Sequence, residues 1–373
     1  MIYLDSAATT LQKPPEVAQA SRYAIEHLAS PGRGGHRPAM EAAAVTFACR
    51  EAAARLFDVP TPEQIVFTLN ATHALNLAVH TLVQPGDTVL VSGYEHNAVT
   101  RPLAAIPNVT IKVARAPLFQ PEAMYKAFED NLTPEVKAVI CTHVSNVFGT
   151  ILPMEKIAGL CRSRCVPLII DASQSAGSLP VSLEKTGAAF IAMPGHKGLF
   201  GPQGTGLLLC SSQQVTPLMQ GGTGSESMRQ QMPDFLPDRL EAGTHNVAGI
   251  AGLLEGIRFV ENRGTKPILA HEQKLIHTMA DSLSQISGVE VFFSPENQAG
   301  VLSLRAAGRD CEELGELLGE GGYALRAGLH CAPYAHETAG TLETGTLRAS
   351  VSPFNTEQEI FRFADELARL VKT

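Results

Sequence analysis

Short apolar runs bounded by turn residues alternate with helical patterns over the first two thirds of the chain. This alternation is typical of β-α-β units, in which helices cover both faces of a largely parallel sheet. The predicted strands lie at 64–68, 88–92, 109–113, 138–142, 167–170, 188–192 and 206–210. Helical patterns lie at 15–29, 39–57, 73–82 and 154–164. The pattern therefore predicts an α/β fold, with one mostly parallel seven-stranded sheet flanked by helices.

The last third of the chain has a different pattern. An apolar helical pattern at 248–260 is followed by a long helical stretch, by strands near 289–293 and 300–304, and by a last helix from Thr356. This order predicts a smaller α+β unit, with a cleft between it and the large sheet. We assign residues 15–260 to a large domain, and residues 1–14 together with 261–373 to the small domain.

Composition and charge narrow the function classes. The chain has 29 Lys and Arg residues against 37 Asp and Glu residues, a net charge of −8, and no basic block, so we expect no nucleic-acid partner. The N-terminus does not resemble a signal peptide and no apolar run reaches about 18 residues, so we expect a cytoplasmic protein without a membrane partner.

The seven cysteines are an odd number spread over a long chain, which predicts reduced thiols rather than a disulfide framework. The spacing of Cys161 and Cys165, and that of His330, Cys331 and His336, does not give a four-ligand zinc set. We therefore expect no metal.

An apolar run that ends in Asp171 places a carboxylate at the carboxyl end of a predicted buried strand, where α/β sheets bind ligands. The next strand leads to Gly195-His196-Lys197 at the same edge. A fixed carboxylate near a nucleophilic lysine suits pyridoxal 5'-phosphate (PLP): the lysine forms the Schiff base and the carboxylate keeps the ring nitrogen protonated. Taken alone, the two residues fit a helix-capping Asp and a surface Lys better than a PLP site.

Other residues at this edge fit the same interpretation. The strand that ends at Thr68 is followed by a polar turn and an apolar helix, so the free amides near Thr72 could hold a phosphate, although an ordinary helix cap has the same sequence. His96 and Asn146 each follow a predicted strand, and His96 could lie over a cofactor ring and move protons.

Eight motifs in order resemble those of class V, fold-type I PLP enzymes, specifically the NifS/SufS-like cysteine desulfurases. They are Leu4 to Thr10, Gly34 to Arg37, Glu95-His96, His143 to Asn146, Asp171 to Gln174, Gly195 to Lys197, Glu241 to Thr244 and Arg326 to Cys331. The resemblance runs from residue 2 to about residue 360. One position departs from the pattern: Pro194 stands where the family has Ser or Thr, and it can donate neither a hydroxyl nor an N–H hydrogen bond.

The resemblance implies a role for each matched residue. The catalytic residues would be Lys197, Cys331 and His96. The PLP-binding residues would be Lys197, Asp171 on the ring nitrogen, Gln174 on the ring hydroxyl, His96 stacked on the ring, Asn146, and Ala71, Thr72, His196 and the partner subunit's Thr244 around the phosphate. The substrate-binding residues would be Arg348 on the carboxylate, Arg326, Asn146 and His36. His330 is expected to help keep the Cys331 thiol ionised.

The resemblance also implies an activity. L-cysteine would be converted to L-alanine by a homodimer, with a persulfide on Cys331 that passes to an acceptor protein or thiol, as in iron–sulfur cluster assembly. A selenocysteine lyase would use the same residues. A class V aminotransferase or cystine C–S lyase would not need Cys331, and a catalytically silent PLP-binding partner protein is the non-enzymatic alternative.

Overall fold

The computed structural model describes residues 1–32 and 34–372. In these ranges the helices are α1 (Pro15–His27), α2 (Arg37–Leu56), α3 (Ala71–Leu82), α4 (Asn97–Ala105), α5 (Pro121–Asn131), α6 (Met154–Ser163), α7 (Leu183–Thr186), α8 (Val247–Arg263), α9 (Thr265–Leu283), α10 (Cys311–Glu320), α11 (Pro333–Ala339) and α12 (Glu357–Lys372). The strands are β1 (Ile2–Tyr3), β2 (Ile65–Thr68), β3 (Thr88–Ser92), β4 (Thr110–Ala114), β5 (Val136–Thr142), β6 (Leu168–Asp171), β7 (Phe190–Pro194), β8 (Gly206–Cys210), β9 (Val289–Phe292), β10 (Val301–Ala306), β11 (Tyr323–Ala324), β12 (Arg326–Gly328) and β13 (Thr346–Ser350).

Strands β2 to β8 form one seven-stranded sheet in the order β2-β8-β7-β6-β5-β3-β4. Strands β3 to β7 are parallel to their neighbours within that group, whereas β8 is antiparallel to both β7 and β2. The predicted mostly parallel sheet of seven strands is therefore confirmed. The predicted ends of β7 are wrong by two residues, because the strand continues through Met193 and Pro194, which pair with β8.

Apolar layers cover both faces of this sheet. Helices α3 and α4 pack on one face, where Leu75 and Leu103 are fully buried. Helices α2, α5, α6 and α8 pack on the other, with Phe128 and Leu253 in the core. Because each central strand is buried on both sides, its sequence is a continuous apolar run rather than an alternation.

The last third of the chain forms a second sheet, with the order β12-β13-β10-β9 and antiparallel pairing throughout. Its core joins Leu304 of β10 to Leu275 of α9 and Phe363 of α12. The N-terminal residues reach the same region, since β1 pairs with β11 and Leu4 lies in this core. This arrangement supports our proposal that residues 1–14 belong with the C-terminal unit.

None of the helices in the described ranges has the length and apolar character needed to cross a membrane.

Candidate active site

Asp171 and Lys197 lie at the carboxyl edge of neighbouring strands of the large sheet. Asp171 is the last residue of β6, is 2% exposed, and accepts a hydrogen bond from Ser173 N at 2.9 Å. Lys197 follows β7 in a turn where Gly198 approaches the backbone so closely that a Cβ there would lie 2.3 Å from Ala176 O. The turn therefore needs glycine beside the lysine.

The Lys197 amine is unpaired among residues 1–32 and 34–372. Burial lowers its pKa to about 8, although the nearby charge of Asp171 opposes this shift. Arg348 and Arg326 lower the pKa further by repulsion. A partly neutral amine is a better nucleophile and base than a surface lysine.

His96 is the N-cap of α4, and its Nδ1 accepts a hydrogen bond from Ala98 N at 3.0 Å. That bond places the ring proton on Nε2. Burial lowers the pKa of His96, Asp171 raises it, and Lys197 and Arg348 lower it again by repulsion. The structure thus brings His96 into the same electrostatic environment as Lys197 and Asp171.

The start of α3 offers amides for an anion. Asn70 is the N-cap, and its side chain accepts a hydrogen bond from His73 N at 2.9 Å, so the helix begins at Ala71 rather than at the predicted residue 73. Within the described ranges the amides of Ala71 and Thr72 have no hydrogen-bond partner, and the Thr72 side chain is exposed. Free amides at a helix N-terminus suit a phosphate.

Residues 4–10, which we call the N-terminal strap, run between the two sheets. Thr10 donates a side-chain hydrogen bond to His196 O at 3.0 Å, and its backbone N donates to the same oxygen. His196 Nδ1 lies 3.0 Å from the hydroxyl of Thr9. Gln174 Nε2 donates to Ala7 O at 3.0 Å. The strap therefore fixes the backbone and side chains that surround Lys197.

Cys331 lies between β12 and α11, at the rim of this site. It is exposed, has a free thiol and a φ of +54°, and its carbonyl accepts a hydrogen bond from Asn97 N at 2.7 Å. Asn97 directly follows His96. The carbonyl of His330 accepts a second bond, from Asn146 Nδ2 at 2.9 Å. These two bonds attach the Cys331 segment to the edge of the large sheet.

The expectation that His330 keeps the thiol ionised is wrong. Burial lowers the pKa of His330 far below its usual value, and the charge of Arg348 lowers it further. The neutral ring has its Nε2 3.3 Å from Arg326 O, while its Nδ1 is buried without a partner. A neutral imidazole supplies no positive charge to stabilise a thiolate.

Arg348 and Arg326 lie on paired strands, β13 and β12, directly opposite each other in the register. Arg348 is 2% exposed; its Nη1 donates to Asn146 O at 2.9 Å and its Nη2 donates to Asp5 Oδ1 at 2.7 Å. Arg326 Nη2 lies 3.2 Å from Asp5 Oδ2. Asp5 lies within the motif from Leu4 to Thr10, but no role was predicted for it.

Two of the predicted residues lie elsewhere on this chain. Thr244 is exposed and lines a different pocket, together with Leu69 and His73, while Lys197 lines a pocket beside Gln174. His36 is an exposed residue at the start of α2. Neither residue lines the pocket that contains Lys197.

Three buried polar groups near the site were missed. Glu95 is fully buried beside His96; it accepts hydrogen bonds from Ser92 and from Thr142 N, while its Oε2 has no partner in the described part of the chain. Burial raises its pKa to about 8. Glu272 of α9 lines the Lys197 pocket, and burial raises its pKa to about 8 as well. The third missed group is Asp5, which accepts a hydrogen bond from Arg348.

The residues fit PLP by the chemistry of their unsatisfied groups. Lys197 supplies an unpaired amine, Asp171 a buried carboxylate without an ion pair, and Ala71 and Thr72 free amides. These groups are complementary to the aldehyde, the protonated ring nitrogen and the phosphate of PLP, in that order. In the described ranges, no three His, Cys, Asp or Glu side chains group closely enough to hold a metal ion.

Comparison with known proteins agrees with this geometry. The family described as Aminotransferase class-V matches residues 2–363. The chain is 32% identical to a probable cysteine desulfurase of Methanothermobacter thermautotrophicus, over 99% of this chain and 94% of that one. It is also 32% identical to a longer probable cysteine desulfurase of Mycolicibacterium paratuberculosis, of which it spans 56%. The apo structure of a cysteine desulfurase from Thermococcus onnurineus superposes with a TM-score of 0.89 and 28% identity, over 100% of this chain and 94% of that one. Because the family matches nearly the whole length of the chain, this chain belongs to the aminotransferase class-V family.

Proposed function

We propose that this chain is a PLP-dependent cysteine desulfurase, which converts L-cysteine to L-alanine and keeps the removed sulfur as a persulfide on Cys331. The observation that carries the proposal is the position of Cys331. Its thiol is exposed, and its backbone carbonyl accepts a hydrogen bond from Asn97 N, beside His96. This contact places the residue at the sheet edge that carries Lys197 and Asp171. The relatives named cysteine desulfurase support the same activity.

In this proposal Lys197 would hold the cofactor, Asp171 would keep its ring nitrogen protonated, and His96 would contact its ring. Bound PLP supplies an electron-withdrawing system joined to the substrate nitrogen, which makes the Cα–H bond of the amino acid acidic. The amides of Ala71 and Thr72 hold the phosphate.

Arg348 holds the substrate carboxylate with the guanidinium N–H groups that Asn146 and Asp5 leave free. The Lys197 amine, whose pKa burial lowers to about 8, takes the Cα proton and returns a proton to carbon. Asn146 contacts both Arg348 and the Cys331 segment. Its backbone carbonyl accepts a hydrogen bond from Arg348, and its side-chain amide donates one to the carbonyl of His330.

The Cys331 thiolate then attacks the sulfur of the substrate. An S–S bond forms as the C–S bond breaks, and the carbon that loses sulfur gains a proton, so that L-cysteine and the thiol give L-alanine and a persulfide. An acceptor protein or a small thiol takes the outer sulfur from exposed Cys331. All seven cysteines are free thiols, which fits a reducing compartment such as the cytoplasm.

We also propose a homodimer, in which the partner subunit's Thr244 and the partner subunit's His36 complete each site. Exposed apolar side chains beside these residues support it: Leu69 is 58% exposed next to Thr244, and Met40 is 61% exposed close to His36 along the chain.

The test is the incubation of the PLP-loaded protein with L-cysteine, followed by measurement of alanine and of sulfide released by a thiol reductant. We expect wild type to form both, and Cys331→Ala to lose both by about a hundredfold or more, because no other nucleophile takes the sulfur. Cys165→Ala is the matched control: Cys165 is also an exposed free thiol with positive φ, at +55°. Alanine formation that survives in Cys331→Ala would contradict the persulfide step, whereas pyruvate in place of alanine, with sulfide released, would favour a C–S lyase.

A further inference from the structure

A small cavity borders Lys197 and lies between the large sheet and the small sheet. The segments that follow β6 and β7 line it on one side, and α9, β10 and β13 line it on the other. Its volume is about 40 Å³, which is room for about two or three water molecules, since each needs roughly 10–15 Å³. Among the described residues that line it, Lys197 and Glu272 are the two that ionise.

The carboxyl group of Glu272 lies at the wall of this cavity without a protein partner. Glu272 is 9% exposed, and across residues 1–32 and 34–372 its carboxyl makes neither a hydrogen bond nor an ion pair. Its Oε2 packs against Gly300, where a Cβ would lie 2.9 Å away, so glycine leaves room for the carboxyl. A buried polar group needs a partner, and water in the cavity can supply it.

Hydroxyl groups extend the polar lining of the cavity. Ser6 and Ser178 are buried, and neither side chain makes a hydrogen bond within the described ranges. Because a hydroxyl both donates and accepts, these two groups can hold water molecules in a connected chain. The cavity is therefore suited to water rather than to an apolar ligand.

The two ionisable groups of the cavity bind protons about equally strongly. Burial lowers the pKa of Lys197 to about 8, and it raises the pKa of Glu272 to about 8 although the charge of Arg263 opposes the shift. Near pH 7 the carboxyl is therefore mostly protonated and the amine mostly charged. Equal pKa values mean that neither group holds a proton much more tightly than the other, which favours exchange in both directions.

We propose that Glu272 stores a proton and exchanges it with the Lys197 amine through water in this cavity. The amine gives one proton to the water while one proton of the carboxyl returns along the same water, so no net charge moves. Glu272 acts only through Lys197 and is therefore a positioning residue. The inference rests on the proposed function for one assignment, that of Lys197 as the group that takes and returns the Cα proton.

The test follows the exchange of the Cα hydrogen of L-alanine with D2O in the PLP-loaded protein, by proton NMR at pH 7. We expect Glu272→Gln to slow this exchange about tenfold, because an amide cannot pass on an acidic proton. The affinity for L-alanine, measured by absorbance titration, should stay the same. Glu272→Asp keeps the acid, and we expect its rate to stay within about threefold of wild type.

Asp281→Asn is the matched control, because it replaces an acid by its amide at an exposed position of α9. We expect this variant to exchange at the wild-type rate.

Two further measurements do not depend on turnover. A crystal structure of the PLP-loaded protein should show ordered water between the Glu272 carboxyl and Lys197. In urea unfolding of the cofactor-free protein, the unfolded chain ionises Glu272 near its ordinary pKa of 4.5, whereas the folded protein keeps the proton up to about pH 8. The folded protein therefore loses stability over this range, and the midpoint of Glu272→Gln should rise relative to wild type from pH 5 to pH 8.

The proposal is overturned if Glu272→Gln exchanges as fast as wild type, if Asp281→Asn or Glu272→Asp slows as much as Glu272→Gln, or if wild type shows no exchange. A cavity without ordered water, or a midpoint difference that does not change with pH, overturns it as well. Should Glu272→Gln fail to fold, Ser178→Val decides, since it removes a lining hydroxyl and fills the space of the water, and we expect the same slowing of about tenfold.

Failure of this inference and failure of the proposed function give different results. A wild type that exchanges L-alanine but forms no alanine from L-cysteine refutes the proposed function and leaves the role of Glu272 standing. A wild type that forms alanine from L-cysteine, with unchanged exchange in Glu272→Gln, does the reverse.

Discussion

At the scale of single residues, burial rather than pairing sets the chemistry of the site. Burial lowers the pKa of Lys197, and it lowers the pKa of His330 so far that the ring is neutral. Motifs showed which residue types would meet, but not how deeply each would be buried. This is why the expectation for His330 failed, while the role of Lys197 stays a prediction.

The pKa of Lys197 leads to a prediction about cofactor uptake. Only the neutral amine reacts with an aldehyde, and at pH 7 a pKa near 8 leaves about a tenth of the amine neutral. We expect PLP to combine with the cofactor-free protein at a rate that rises roughly tenfold for each pH unit up to about pH 8 and then levels off. Absorbance of the bound cofactor, followed by stopped flow, measures this rate.

Asp171 provides the control for that profile. Its negative charge raises the pKa of Lys197 against the effect of burial, so Asp171→Asn should move the levelling-off to lower pH. Lys185→Ala, at an exposed lysine, should leave the profile unchanged. A rate that is independent of pH below about 8, or a shift to higher pH in Asp171→Asn, would contradict the assignment of Lys197.

At the scale of elements, the strands were easier to predict than the helices. All seven strands of the large sheet were predicted, since buried parallel strands are distinct apolar runs between turn residues. Helix α4 was missed because it contains Pro102, which removes a backbone donor from the helix interior. Helix α5 was also missed, although it buries an apolar stripe of Met124 and Phe128, which are four residues apart.

Helix α11 follows Cys331 and connects it to the large sheet. Thr338 donates a hydrogen bond to Gly93 O at 2.9 Å, and Glu337 pairs with Arg115. Gly93 permits this approach, because a Cβ at that position would lie 2.7 Å from the Thr338 hydroxyl. Together with the bond from Asn97 N to Cys331 O, these contacts hold the nucleophile from both sides.

Removal of the Thr338 hydroxyl should therefore loosen the Cys331 segment. Thr338→Val loses one partly buried hydrogen bond, worth about 1 kcal/mol, so we expect roughly fivefold faster local opening. Amide hydrogen exchange over residues 329–340, and the rate of alkylation of Cys331, measure the change. Thr278→Val on α9 is the control, since that exposed hydroxyl bonds only within its own helix, to Lys274 O.

Unchanged exchange in Thr338→Val, or an equal increase in Thr278→Val, would show that α11 does not restrain the thiol through Gly93.

At the scale of the whole molecule, the N-terminal strap was assigned to the small domain from the sequence, but its contacts with Arg348 and with the turn that carries Lys197 were not predicted. Asp5 and Arg348 are 343 positions apart, and nothing local in the sequence indicates that their side chains meet. The strap contacts both sides of the site: Asp5 binds the arginines of the small sheet, while Thr10 binds the turn that carries Lys197. Such long-range contacts emerge only when both sheets are folded and packed against each other.

The proposed dimer leads to a prediction about activity that holds only if each site is built from two chains. If each site combines Lys197 of one subunit with the partner subunit's Thr244, then Lys197→Ala and Thr244→Glu should each inactivate a homodimer. The first removes the amine, and the second sets a carboxylate against the phosphate. In a mixed dimer of the two variants, one site has both defects and the other has neither.

Mixed dimers should therefore regain activity. Co-refolding the two inactive variants in equal amounts should yield about a quarter of wild-type alanine formation, because about half of the dimers are mixed and each has one intact site. Mixing Lys197→Ala with Lys197→Ala/Thr244→Glu is the control and should stay inactive. Continued inactivity of the first mixture, with mixed dimers demonstrated by differential tagging, would show that Thr244 serves the site of its own chain or none. Full activity of Thr244→Glu alone would show that a carboxylate at this position does not disturb the phosphate.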